Sequence, residues 1–171
     1  LVARALPMLE VELVCQDGSS QKCFAVNEVT VERKNGQNLG FNLVFEHQAY
    51  NLQGDGVIIA TPLGSWAYAM SACRQTGLPL HSDRQRIVGI NLHPDYWDDF
   101  PHPCDIDAST EVAVTIRDNN KRPARVLFDS RGEASDLVSL TVRPSQQKVK
   151  LLFTPSDDLD LKMRSVIISS R

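Results

Sequence analysis

From residue 8 to 15 apolar and polar positions partly alternate, as they do along a strand with one buried face. Gln16-Asp17-Gly18-Ser19-Ser20 then supplies turn chemistry, and alternation resumes over residues 24–33 through Val26, Val29 and Val31, which predicts a hairpin. After a second turn at Asn35-Gly36, Leu39, Phe41, Leu43 and Phe45 alternate with Gly40, Asn42 and Val44 and predict a third strand. Gly54-Asp55-Gly56 breaks the chain before Val57-Ile58-Ile59-Ala60, a short apolar run expected of a strand buried on both faces. Ser65 is positioned to N-cap a helix over residues 66–73, ending by Gly77 or Pro79.

The second half returns to strands at residues 87–92, 111–117, 124–128, 137–142 and 148–153, separated by Asp, Asn, Gly and Pro. Residues 94–107 read as a long loop and Asp157-Asp158-Leu159-Asp160 as a solvated turn. Many short strands with one short helix predict a mainly β protein, a β-sandwich forming one domain over residues 1–171.

Composition narrows the function classes. A net charge of -3 with both signs interspersed gives no footprint for nucleic acid or an anionic membrane. No apolar run approaches the ~20 residues of a spanning helix. Cys15, Cys23, Cys73 and Cys104 form no CxxC pair, which fits a reduced, cytoplasmic setting with the thiols packed as small hydrophobes; Cys15 and Cys23 flank the first turn. His93, His102 and Cys104 match no metal-ligand spacing, and no tightly bound metal is expected.

Chemistry concentrates between Asp55 and Ser71, where a buried strand delivers a tight turn onto a helix N-terminus whose free N–H groups suit a polar ligand. The plain alternative is that Thr61, Gly64 and Ser65 only make the turn and cap the helix. The segment Asp55-Gly56, Thr61-Pro62, Gly64-Ser65, Ala67-Tyr68 resembles the DG…TPTGSTAY signature of NAD kinases in order and spacing. Ala25-Val26-Asn27-Glu28-Val29 is similar to that family's Asn-Glu motif, residues 6–11 to the strand that opens its C-terminal domain, and Phe128-Asp129 with the strands that follow to its DG-containing pair.

The resemblance implies a C-terminal, dinucleotide-binding β-sandwich domain. In it Asn27 and Glu28 would bond ribose hydroxyls of NAD, Asp55 would accept from the nicotinamide or adenine side, and Thr61, Ser65, Ala67, Tyr68 and Ser71 would line the ligand, with Trp66 and Asp129 as further candidates for the ligand side. It also implies phosphorylation of the adenosine ribose 2′-hydroxyl by ATP with Mg²⁺ to give NADP, in a homo-oligomer. The GGDGT loop that holds ATP phosphates in the family is absent from these residues, so a separate N-terminal domain is expected to supply it, and this chain alone is expected to be inactive and to carry no catalytic residue.

The signature is altered at Leu63 and Trp66, normally small and polar, at residues 73–77, which replace a GGP turn, at Ser130, which replaces Gly, and over residues 91–99. These departures sustain two other readings: a diverged nucleotide-binding or regulatory module without kinase activity, and a β-sandwich used for oligomerisation.

Overall fold

The computed structural model describes residues 1–96 and 100–154; the 157–160 turn and part of the 91–99 segment lie outside the described residues. Strands β1 (Val2–Cys15), β2 (Ser20–Ala25), β4 (Leu39–Phe45), β5 (Gln48–Gly54), β9 (Val112–Arg117) and β12 (Leu137–Phe153) form one antiparallel sheet in the order β2-β1-β12-β9-β4-β5. Strands β3 (Glu28–Arg33), β6 (Gly56–Ala60), β7 (Arg84–Ile90), β8 (Cys104–Asp107), β10 (Ala124–Phe128) and β11 (Gly132–Ser135) form the second, in the order β11-β10-β3-β6-β7-β8. The protein is mainly β, as its pattern predicts.

The inner faces enclose one core, with Val11, Leu13, Phe41, Leu43, Val114 and Leu140 from the first sheet meeting Val29, Val31, Val57, Ile59, Ile87 and Val126 from the second. Alternation sends the remaining apolar residues of β6 and β7 outward, and they do not meet water. Ile58, Ala60, Val88 and Ile90 pack with Ala69, Ala72 and Cys73 of helix α1 (Tyr68–Cys73), so β6 is buried on both faces as its sequence predicts. Six residues are too few to hold a helix by themselves, and this apolar contact fixes α1 on the outside of the second sheet.

Several expectations need correction. The predicted helix over 66–73 is two elements: a 3₁₀ turn over Gly64–Trp66, then α1, with Ala67 between them out of helical conformation. Ser65 makes no side-chain cap bond. The loop predicted over 94–107 carries a 3₁₀ turn at Pro94–Tyr96 and strand β8. Residues 137–153 are one strand; Pro144 falls at the register shift opposite Pro7 and Leu9, where a residue without an N–H is tolerated. Strands β5 and β11 were not foreseen. Cys23 pairs with Val11 across the hairpin, so Cys15 and Cys23 do not face each other, and all four thiols are free.

His102 is tied to β7 where β8 no longer pairs with it: the Gly89 N–H donates to His102 Nδ1 at 3.1 Å. Only a neutral ring can accept there, and burial holds the His102 pKa below its ordinary value. With the folded pKa depressed, this contribution is present above the unfolded pKa near 6.5 and lost as pH falls below it. His102 is only partly buried, so the step should be no more than one hydrogen bond, about 0.5–1 kcal/mol. Urea midpoints at pH 7.5 and 5.5 should show that step in the native protein and a smaller one in His102→Gln; equal steps would exclude it.

Candidate functional site

Two turns distant in sequence are locked together at one end of β6. The Asn27 carbonyl accepts from the Thr61 N–H at 2.9 Å, while Thr61 Oγ1 lies 2.7 Å from the Val26 carbonyl it donates to and receives the Gly64 N–H at 3.1 Å. Gly64 lies so close that a Cβ on it would sit 1.9 Å from the Asn27 oxygen. Only glycine permits that approach.

The third partner is Asp129. Its carboxylate accepts the backbone N–H groups of Val26 (2.8 Å), Asn27 (2.7 Å) and Glu28 (3.2 Å). It is presented by the turn between β10 and β11, in which Asp129 and Ser130 both hold positive φ, 51° and 57°, closed by the Arg131 N–H donating to the Phe128 carbonyl. Asp129 is therefore saturated as a positioning residue for the Asn-Glu turn.

Along β3, Val29 and Val31 enter the core, so Glu28, Thr30 and Glu32 occupy the outer face beside α1. Glu28 is only 3% exposed and its Oε2 has no hydrogen-bond partner. Burial first, then the charge of Asp129, pushes its carboxyl up to about 7. Glu28 therefore does not face water. The Asn27 side-chain amide is half-buried and makes no hydrogen bond among the described residues.

At the other end of β3 and β6 lies an open polar depression of ≈ 490 Å³ lined by Glu32, Arg33, Asp55, Tyr68, Asn91 and Arg125, among others. Asp55 is held from two sides, by Arg33 Nε at 2.8 Å and by Asn91 Nδ2 at 2.8 Å. Arg125 donates to Glu32 from the neighbouring strand. With both arginines matched by carboxylates, the depression suits a neutral, polar, partly aromatic group better than a bare anion. Desolvation, with Glu32 and Asp55 nearby, raises the Tyr68 phenol above its ordinary range. Since Glu28 pairs with Ala60 and Glu32 with Gly56, the two ends stand four strand positions apart, roughly 13 Å.

The residues singled out in the sequence thus divide. Asn27 and Glu28 gather at one end, Asp55 and Tyr68 at the other, while Ala67, just before α1, and Ser71, on it, are exposed, the Ser71 hydroxyl donating to the Tyr68 carbonyl. Thr61 and Ser65 are 1% and 0% exposed, so direct ligand contact is replaced by a structural role. Ser65 Oγ donates to the Pro62 carbonyl and accepts the Leu78 N–H, both at 2.7 Å. Arg33, Asn91 and Arg125 were missed, because only strand pairing reveals their proximity to Asp55.

Trp66 turns away from this surface. Its Nε1 donates to the Leu78 carbonyl at 2.6 Å and its ring covers Gly77, whose Cβ would meet three indole carbons at 2.5 Å. The altered segment after the helix is thus the seat of the altered side chain. Gly77→Ala is expected to cost about 1–3 kcal/mol by overpacking, and much less in a Trp66→Thr background. A double-mutant cycle by urea denaturation checks this; equal costs in both backgrounds would refute the contact.

No family model matches the chain. It is 35% identical over 161 residues to an NAD kinase of Xanthomonas oryzae pv. oryzae, covering 92% of this chain and 60% of that one. The NAD kinase of Rickettsia bellii is 32% identical over 148 residues, covering 84% and 56%. The chain is a homologue of NAD kinases. It spans about 60% of the length of these relatives at most. Among solved structures, yeast NADH kinase complexed with NADH superposes with a TM-score of 0.82 at 17% identity, covering 98% of this chain and 48% of the other. An NAD kinase from Archaeoglobus fulgidus in complex with ATP gives 0.73 at 19%, covering 95% and 61%. Both share the fold of this NAD-kinase homologue, two antiparallel sheets with one short helix.

Proposed function

We propose that this chain is the acceptor-binding domain of an NAD kinase, a C-terminal domain that holds NAD while ATP phosphorylates its adenosine ribose 2′-hydroxyl to give NADP. The observation that carries the reading is the locked pair of turns, which holds the free Asn27 amide and the orphaned Glu28 carboxyl together, roughly 13 Å along β3 and β6 from the depression lined by Asp55 and Tyr68. The Asn27 amide can donate and accept and the Glu28 carboxyl can accept from hydroxyls, a pairing suited to a ribose. Asp55 then receives donors from the heterocyclic end and Tyr68 offers it an aromatic surface.

In phosphoryl transfer the protein contributes chiefly position and electrostatics. This chain contributes the position of the attacking hydroxyl. Among the described residues no cluster of three or more His, Cys, Asp or Glu side chains could hold a metal. The ATP- and Mg²⁺-handling groups belong, on this reading, to a further, N-terminal domain, in keeping with the part of the relatives that the chain does not span. A cytoplasmic homo-oligomer fits the same reading.

NAD at ten times its Kd should stabilise the full-length protein by about 1.4 kcal/mol, a rise in Tm of roughly 3–6 °C. If NAD and NADP both leave Tm unchanged at millimolar concentration, the reading is rejected. The substitutions at Leu63 and Trp66 favour a second reading, a binding module without transfer activity. NAD binding without NADP formation from ATP and Mg²⁺ by the full-length protein would select it.

A further inference from the structure

Glu28 and Asp129 share one turn but not its donors. All three turn N–H groups that face Asp129 are bonded to it, while the neighbouring Glu28 carboxyl, almost fully buried, keeps an oxygen with no donor at all. Among the described residues no cation offsets this. From β6 the facing residues are Ala60 and Thr61, both uncharged, and α1 contains no charged side chain. One strand further, Arg86 is taken by Asp105 at 2.6 and 2.8 Å and by the Thr76 carbonyl at 2.7 Å. On β3 itself, Glu32 and Arg33 lie at the far end, engaged by Arg125 and Asp55. The charge next to Glu28 is that of Asp129, and it is negative.

A buried carboxyl with no donor and an anionic neighbour holds its proton; the same carboxyl given two hydroxyl donors releases it. We propose that a ligand carrying a vicinal diol binds at the Asn27–Glu28 turn with release of the Glu28 proton to solvent, its hydroxyls supplying the donors that the protein withholds from Oε2. Asp129 acts by position and charge, anchored on the three turn N–H groups. The choice of NAD as the diol rests on the function proposed above.

Since the bound state prefers the ionised carboxylate, affinity is full above the free-state pKa and declines as pH falls through it. For a group that titrates at about 7 when free, Kd for NAD should tighten about tenfold from pH 6 to pH 8 and then level. The experiment is calorimetric titration of the full-length protein with NAD at pH 6, 7 and 8, each in two buffers of different ionisation enthalpy. Close to one proton should be released per NAD at pH 6 and almost none at pH 8. Glu28→Gln should bind more weakly, with a flat pH profile and no proton release. Equal Kd values at pH 6 and 8 with no buffer dependence, or proton uptake, would overturn the proposal while leaving NAD binding intact. Persistence of the proton release in Glu28→Gln would overturn it too. Absence of NAD binding at every pH would remove the dinucleotide reading and this one with it.

Discussion

Gly64→Ala is expected to lower Tm by roughly 6–12 °C, about 3 kcal/mol or more. The added carbon would lie 1.9 Å from the Asn27 oxygen and 2.3 Å from its carbon, both backbone atoms that cannot rotate aside. Relief requires the 61–66 turn to move off the Asn-Glu turn, which breaks the Thr61 bonds to the Val26 and Asn27 carbonyls. Ligand binding should therefore weaken along with stability, although Gly64 offers a ligand no side chain. Thermal unfolding and NAD titration of the variant check both parts. A Tm within 2 °C of the native value would show that the two turns are not packed as described.

Asp129→Ala should cost about 3–5 kcal/mol, because it strands three half-buried N–H donors that now share one carboxylate. Asp129→Asn should fall between the two. Its single carbonyl oxygen can replace Oδ1, which serves Asn27 and Glu28, but its amino group would oppose the Val26 N–H that now meets Oδ2. Urea unfolding of the three proteins orders them. An alanine variant within 1 kcal/mol of the native protein would exclude the anchoring role. Removing the Asp129 charge also withdraws one of the two causes that raise Glu28, so the pH profile of ligand binding should shift to lower pH in the asparagine variant.

Both predictions concern residues visible in the sequence, and the structure supplies the partners that the sequence did not. Asp129 was a candidate for the ligand side and is a backbone anchor. Thr61 and Ser65 were candidates for ligand contact and are buried with saturated hydroxyls. Trp66, the largest departure from the signature, suggested an altered pocket and instead packs on Gly77. In each case the residue type was informative, but its direction depended on a partner many positions away.

Strand periodicity alone determined the mainly β sandwich, the doubly buried β6 and the presence of a short helix after it, because burial of one or both faces writes itself into local alternation. Asn27, Glu28, Asp55 and Tyr68 were singled out by the resemblance of their segments to NAD kinase motifs and not by local alternation. What escaped was whatever depended on backbone states that side chains do not advertise. The β4–β5 hairpin turns through Glu46 and His47 at φ 49° and 63°, the β10–β11 hairpin through Asp129 and Ser130, and α1 ends on Arg74 at φ 57°. None of these positions is glycine, so the usual punctuation is missing and strands β5 and β11 went unread. Only the tertiary structure decided that Asp129 reaches the Asn-Glu turn and that Arg33 meets Asp55. It also left Glu28 buried without a donor, since pairing register and sheet packing are long-range terms that no local pattern contains.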